Sequence, residues 1–305
     1  MKAIRIHKYG GPEKIIYEDV AEIPKAGTNQ VLVKIKAASL NPVDCNLASG
    51  RLQNLRLPWI PGVDFAGIVE SAGYGVTDFK KGDAVFGNSP QGGAYAEYIV
   101  VNSDLVIAMP PNMDFVQAAS IPLAGQTAWQ GLFEYGELQA GQKVLIHGGA
   151  GGVGTFAVQL AHWKGAQVFA TAPCCDMGYL DKLGAQGIIN YHAIPFESVV
   201  KNMDLVFDLI GGHTQTRSFS VIREGGRLIS TVQQPFNKYA DRNKIFTMMI
   251  HLKPSAKRLS HLVELLNQRK LKPFVSRTFS LAETKKAWTH MVNNHKHGKI
   301  VMVIP

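Results

Sequence analysis

The stretch VLIHGGAGGVGTFAVQLA, Val144 to Ala161, narrows the folds open to this chain more than any other. It reads as an apolar strand, a glycine-packed turn and the opening of a helix. Within it, Gly149-Ala150-Gly151-Gly152-Val153-Gly154 fits G-x-G-x-x-G. Alone the pattern is common; between a strand and a helix it has physical meaning. The first glycine permits the tight turn, the second lets backbone approach a pyrophosphate, and the third lets the helix pack closely on the strand. Amides at the start of the helix, and its positive end, then hold phosphate. The competing reading is a tight strand-to-helix turn with no ligand.

Around the turn, strand-like and helix-like segments alternate: QKVLIH, GVGTFAVQLAHWKG, QVFATA, MGYLDKLG, GIINY, MDLVFDLIGG and GGRLISTV. Such alternation predicts a parallel, doubly wound sheet. A long amphipathic helix, SAKRLSHLVELLNQRK, follows, and the chain closes with a helix and a strand in FSLAETKKAWTHMVNNHKHGKIVMVIP. The N-terminal part differs in character. QVLVKIKAASL alternates like a half-buried strand, GGAYAEYIVV is β-rich after a glycine pair, and AGYGVTDFKKGDAVFG is dense in turn signals. A compact, barrel-like β unit is expected there. At the junction, FVQAASIPLAGQTAWQGLF has apolar residues at helical spacing.

The 305 residues suit about two domains. No uninterrupted apolar run approaches the ~18 residues of a membrane span. The start, MKAIRIHKYGGPEK, lacks the apolar core of a secretion signal. A cytoplasmic protein without membrane association is expected. Net charge is +9, but lysines and arginines are scattered, and the densest runs, KPSAKR and NQRKLKP, are short. That pattern suits a solvated basic surface and an anionic cofactor; no nucleic-acid-binding motif accompanies it. Three cysteines are too few for a disulfide framework. Cys174 and Cys175 are adjacent and would bridge only with strain, so reduced thiols are expected.

The choice of dinucleotide turns on an absence. An NAD site usually carries an acid about 20 residues beyond the turn, on the ribose 2′-hydroxyl. FATAPCC, Phe169 to Cys175, has none, and Asp176 lies beyond it. Nothing there repels a 2′-phosphate, so NADP(H) is the expected cofactor. No lysine or arginine stands at that strand end. Tyr191, closing the next strand, offers a hydroxyl to the phosphate, or simply packs, as strand aromatics do.

Several segments together now resemble a known family. They are AASLNPVD, PGVDFAGIVESAGYGVTDFKKGDAVFG, GGAYAEYIVV, IPLAGQTAWQGL, the glycine turn and GKIVMVI. In this order they resemble the medium-chain dehydrogenase/reductase superfamily, and within it the zinc-free quinone oxidoreductase branch near the alkenal/enone reductases. The resemblance implies an α/β chain: a GroES-like β-barrel-type domain over 1–122, a Rossmann NADP-binding domain over 123–265, and a tail, 266–305, returning to the first. It implies cofactor contacts at Thr127 (on the nicotinamide carboxamide) and at Lys299 near the C-terminus, beside those the fingerprint itself gives to Gly149, Gly151, Gly152, Val153 and Gly154 and the one Tyr191 offers. Thr171 and Ser230 join them at strand ends, where ligands of such sheets gather.

Zinc members of the superfamily have Cys-x-x-Asp where this chain has Asn41-Pro42-Val43-Asp44. They have Gly-His-Glu-x-x-Gly where it has Gly62-Val63-Asp64-Phe65-Ala66-Gly67. Asp44 and Asp64 keep the acidic positions, but the expected Cys and His ligands are missing. FGNSPQGGAYAEYIV lacks the four cysteines of their structural zinc. No metal is expected. His295 and His297 form an H-x-H read as a solvated loop.

Hydride added to an enone β-carbon or a quinone ring leaves charge on a carbonyl oxygen, and donors aimed at that oxygen lower the barrier. In the alcohol dehydrogenases zinc serves this purpose; here a neutral donor must. Asn41 is the first candidate, because its amide can donate, although Asn-Pro is also a turn signal. Several family members use a tyrosine in the following loop, and Cys45 to Leu52 contains none. Asn46, solvent or a ribose hydroxyl then supplies the proton. Cys45 is a conceivable acid, or a small buried hydrophobe. The expected function is NADPH-dependent, zinc-free reduction of quinones or α,β-unsaturated carbonyls, with a homodimer allowed for. The alternatives are an enoyl-thioester reductase and a non-catalytic, crystallin-like protein that binds NADPH and RNA.

Overall fold

The computed structural model describes residues 1–19, 22–51, 55–235, 237–242, 244–293 and 297–305. The chain divides into two compact units. One comprises Met1–Leu123, Pro254–Asn267 and Pro273–Pro305; the other comprises Ala124–Lys253 and Gln268–Lys272.

The first unit begins with β1 (Ala3–Ile6), β2 (Ile15–Glu18), β3 (Gln30–Leu40), α1 (Pro42–Ala48), β4 (Asp64–Ala72), β5 (Ala84–Asn88), β6 (Tyr98–Asn102), β7 (Val106–Ala108) and α2 (Phe115–Ala119). Helix α3 (Pro122–Trp129) carries the chain into the second unit, with Pro122 in the position where a missing N–H costs nothing. There follow β8 (Lys143–His147), α4 (Gly152–Trp163), β9 (Gln167–Ala172), α5 (Met177–Lys182), β10 (Gly187–Asn190), β11 (Met203–Asp208), α6 (Gly212–Ser218), β12 (Ile222–Ser230), α7 (Asn237–Arg242) and β13 (Phe246–Met249). Helix α8 (Ala256–Asn267), β14 (Val275–Ser280), α9 (Thr284–Asn293) and β15 (Lys299–Val303) complete the first unit.

Strand β3 organises the first unit. One of its edges carries β4; the other carries β6 along Gln30–Lys34 and β15 along Ala37–Leu40. The sheet runs β14-β15-β3-β4-β5-β7. Polar-apolar alternation in β3 persists at Lys34 and Lys36, but Ala37 to Leu40 are all buried. The expected half-buried strand is thus buried on both faces at its far end. Ile4, Ile35, Phe65, Tyr95, Trp288 and Met302 are among the residues that fill the core.

All strand pairs of the second unit are parallel, in the order β10-β9-β8-β11-β12-β13. Numbered from the unit's first strand this is 3-2-1-4-5-6, the Rossmann arrangement. Its order reverses between β8 and β11, so ligand is expected beyond the carboxyl ends of those two strands.

The helical junction segment is two short helices, α2 and α3, followed by a π-helical turn at Gln130–Tyr135. Helix α8 groups with the first unit, where it packs on β7 and buries Leu259, Leu262 and Leu265. The expected boundary at 265 assigned it to the other unit. An apolar stripe predicts that a helix packs, but does not name its partner.

Candidate cofactor turn and buried polar network

The glycine turn is built by steric exclusion. Gly148 has φ +75°, a conformation side chains rarely adopt. A Cβ at Gly149 would lie 2.8 Å from Ala170 Cβ, and one at Gly154 would lie 2.2 Å from the Gly148 carbonyl oxygen. At Gly151 the nearest atom would be 3.4 Å away, so the chain itself leaves that position open. The tight turn thus belongs to Gly148, one residue before the fingerprint, and Gly149 serves close strand–helix packing instead. The doubled glycine was its only trace in the sequence. Gly151 caps α4 in extended conformation. Gly152, Val153 and Gly154 follow, where helix amides lack intrahelical acceptors.

Two expected cofactor contacts turn inward here. Thr171 is buried on β9; its hydroxyl meets His147 Nδ1 at 3.2 Å and accepts from the Gly148 amide at 3.2 Å, and its carbonyl accepts from Gly149 N at 3.0 Å. Ser230 is buried and donates to Asp208 Oδ2 at 3.0 Å, while Val232 N donates to its hydroxyl at 3.2 Å. Asp208 also receives Ile210 N, Gly211 N and Gln215 Nε2. Both hydroxyls take part in shaping the loops at these strand ends. Position at a strand end is legible in a sequence; the direction of a hydroxyl is not.

Tyr191 follows β10 and is 49% exposed. Partial burial, then Asp176 and Cys175 nearby, push its hydroxyl above the usual tyrosine range. Thr127 is buried on α3. Cys174 and Cys175 are exposed free thiols. Local desolvation and Asp176 raise the Cys175 thiol, so thiolate formation there is disfavoured.

The first unit holds a buried polar network. Strand register sets Ser39, Asp64 and Asn88 side by side on β3, β4 and β5. Asp64 accepts from Ser39 Oγ (3.0 Å), Asn41 Nδ2 (2.9 Å), Asn88 Nδ2 (2.7 Å) and Leu123 N (2.9 Å). Lys299, the first residue of β15, places its ammonium 3.6 Å from Asp64 Oδ2 and donates to Leu40 O and Asn41 Oδ1. Burial lowers the Lys299 ammonium below the usual lysine range, and Asp64 and Asp44 pull it back. Asp44 Oδ2 accepts from Asn41 N at 2.8 Å and Tyr95 OH at 2.9 Å, while its Oδ1 has no partner. Burial pushes the Asp44 carboxyl up to about 7.

Two of the expected site residues belong to this network. Asn41 is 1% exposed, and its carboxamide is spent on Asp64 and Lys299. It links Asp64 and Lys299 to the start of α1. Lys299 is likewise held inside the first unit, by its ion pair with Asp64 and its bonds to Leu40 O and Asn41 Oδ1. Asn46 is half-buried on α1, and Cys45 packs against the core as a small hydrophobe. A tyrosine does reach the segment that lacks one: a Cβ at Gly50 would lie 3.2 Å from the Tyr9 ring, whose hydroxyl donates to Leu55 O at 2.9 Å just beyond it. His295 lies outside the described residues; the His297 ring packs edge-on against Phe274.

Residues 27–111 match the alcohol dehydrogenase GroES-like domain, and 183–302 match a zinc-binding dehydrogenase domain. The chain is 34% identical over 319 aligned residues to an NADPH-dependent alkenal/one oxidoreductase, chloroplastic, of Arabidopsis thaliana, covering 99% of this chain and 79% of that protein. Among solved structures, the quinone oxidoreductase of Coxiella burnetii superposes with a TM-score of 0.93 at 34% identity, covering 100% of this chain and 99% of the other. The quinone oxidoreductase of Escherichia coli, complexed with NADPH, gives 0.92 at 25% identity, covering 99% and 100%.

The second domain's description implies zinc, and the residues here do not fit it. Val63 is aliphatic at the expected histidine position. Asn41, at the expected cysteine position, already carries the Lys299 ammonium on its oxygen. A second cation against that oxygen would be repelled, and three protein ligands are wanted. Sequence, fold and relatives together make this chain a member of the quinone oxidoreductase and alkenal/enone reductase branch of the medium-chain dehydrogenase/reductase superfamily.

Proposed function

We infer that the protein is an NADPH-dependent oxidoreductase that reduces quinones or α,β-unsaturated carbonyls by hydride transfer without a metal. The observation that carries this is the turn from Gly148 to Gly154, closed to side chains at Gly149 and Gly154 and open at Gly151. Bound NADPH supplies the hydride. Gly152, Val153 and Gly154 present helix-start amides to the pyrophosphate, and Gly151 leaves the space for it. Tyr191 offers an exposed hydroxyl to the 2′-phosphate, and no carboxylate in FATAPCC repels it. Thr127 meets the nicotinamide carboxamide. Thr171 and Ser230 hold the surrounding loops in shape.

In the first unit, Lys299, Asp64 and Asn41 fix the start of α1, and α1 carries Asn46, the side chain retained as a donor to the acceptor oxygen or its proton. A conjugated acceptor suits this equipment, since it needs no strong base to take an alcohol proton. The domain assignment follows: a substrate-handling GroES-like unit and an NADP-binding Rossmann unit.

A cytoplasmic setting belongs to the same reading, supported by Cys45, Cys174 and Cys175, which form no disulfide. Among the described residues, no helix is long and apolar enough to cross a membrane. A homodimer is part of the proposal and is tested by sedimentation. Calorimetric titration with NADPH and NADH tests the cofactor assignment: NADPH is expected to bind more tightly, and equal affinities would defeat it.

A further inference from the structure

We propose that His147 is a positioning residue, held as the neutral Nε2–H tautomer, that fixes the glycine turn through a one-way chain of hydrogen bonds ending on Thr171. The proposal rests on the turn being the dinucleotide site.

His147 is the last residue of β8 and is fully buried. Its Nε2 lies 2.9 Å from Ser218 Oγ, and its Nδ1 lies 3.2 Å from Thr171 Oγ1. The direction of each bond follows from counting hydrogens. The Ser218 hydroxyl has one, and donates it to Thr214 O at 2.7 Å, one helical turn back. Ser218 Oγ therefore accepts from His147, and Nε2 carries the proton. Nδ1 of the neutral ring is then bare and accepts from the Thr171 hydroxyl. Thr171 Oγ1, having given its hydrogen, accepts from Gly148 N at 3.2 Å. The order is Gly148 to Thr171 to His147 to Ser218 to Thr214, every donor used once.

A second proton on the ring would turn Nδ1 into a donor facing the Thr171 oxygen, and the Thr171 hydrogen would lose its acceptor. The surroundings oppose that proton. Burial dominates, and the Phe196 ring stands edge-on with centroids 4.7 Å apart. The charged groups facing His147 are Asp208 on β11, Glu197 and Arg217 of α6. Glu197 and Arg217 pair with each other, and Asp208 is saturated by four donors. Burial brings the imidazole down to about 4.

The consequence reaches the cofactor through Gly148. Its positive φ and its amide are held by the Thr171 hydroxyl, and the Gly149 amide by the Thr171 carbonyl. Without His147, the Thr171 hydroxyl is left to rotate and the turn must be ordered when a phosphate arrives, which weakens binding.

The test is nitrogen-15 NMR of the histidine-labelled full chain with NADPH titrations of variants. In the wild type, His147 is expected to show a protonated Nε2 and a bare Nδ1, unchanged from about pH 8 to about pH 5.5, a range across which an ordinary histidine gains its second proton. A protonated Nδ1, or titration within that window, would overturn the proposal. His147→Leu is expected to weaken NADPH about tenfold, the effect of leaving a buried hydroxyl unpaired. His147→Asn, which keeps an acceptor toward Thr171, should recover most of that loss. If His147→Leu does not fold, Thr171→Val makes the same prediction with the ring in place. Wild-type affinity in a folded His147→Leu or Thr171→Val would refute the positioning role. A wild type that binds no NADPH would end the reading of the turn, and with it this proposal, whatever tautomer NMR reports.

Discussion

The Lys299 ammonium lies 3.6 Å from Asp64 Oδ2, with the two side chains 4% and 0% exposed. The pair joins the last strand of the chain to the interior of the first unit and supports Asn41 between them. Removing one partner of a buried pair leaves the other charge uncompensated, which typically costs about 3–5 kcal/mol. Lys299→Met is therefore expected to lower unfolding stability in urea by roughly that amount, while the folded fraction binds NADPH as the wild type does. Unchanged stability with weakened NADPH binding would return Lys299 to the cofactor.

Asp44 gives the first unit a pH dependence of definite sign. Its carboxyl is raised to about 7 in the fold against 3.8 ordinarily. Between those values the fold binds a proton that the unfolded chain has released. This contribution to stability is full below about pH 4, declines as pH rises to about 7, and is flat beyond. His147 acts oppositely in the second unit: lowered to about 4 from 6.5, it removes stability as pH falls through that range. Asp44→Asn separates the two, since an amide oxygen can accept from Asn41 N and Tyr95 OH without charge. Its stability advantage over wild type should grow from about pH 5 to about pH 7, reaching a few kcal/mol. A constant difference across that range would show that Asp44 does not titrate there.

Gly151 and Gly154 should respond differently to the same methyl group. In Gly154→Ala the new Cβ meets backbone at 2.2 Å and cannot be accommodated by a side-chain shift. A loss of roughly 3 kcal/mol or more in stability is expected, as for severe overpacking. In Gly151→Ala the contact is an ordinary 3.4 Å. Stability should change by about 1 kcal/mol or less, while NADPH binding falls at least about tenfold because the methyl occupies the phosphate approach. Full NADPH affinity in Gly151→Ala would place the phosphates elsewhere.

Tyr191→Phe removes one exposed hydroxyl and leaves the ring. NADPH affinity should fall about tenfold or more, the worth of one hydrogen bond to a charged group, and NADH affinity should stay the same. Equal losses for both cofactors would assign Tyr191 to a part of the molecule they share.

The Rossmann unit was legible because its strands are buried runs separated by helical ones, and because strand, glycines and helix adjoin in sequence. Strand β13 was not: Phe246–Met249 is four residues long, Phe246 is 41% exposed, and the strand exists through pairing with β12. The polar network was half legible. Asp44 and Asp64 stand out at acidic positions, but Asn41 and Lys299 meet across a separation of 258 residues. No spacing rule reveals that they consume each other's hydrogen-bonding capacity. Gly148 escaped because a fingerprint records residue types, whereas the turn is made by a backbone angle.

The most direct test is the rate of NADPH oxidation by the purified protein with quinones, enals and enones, beside simple aldehydes, in the presence of a strong metal chelator. The account predicts turnover with the conjugated acceptors, undiminished by the chelator and slower with NADH. Turnover that the chelator abolishes, or none with any conjugated acceptor, would contradict it.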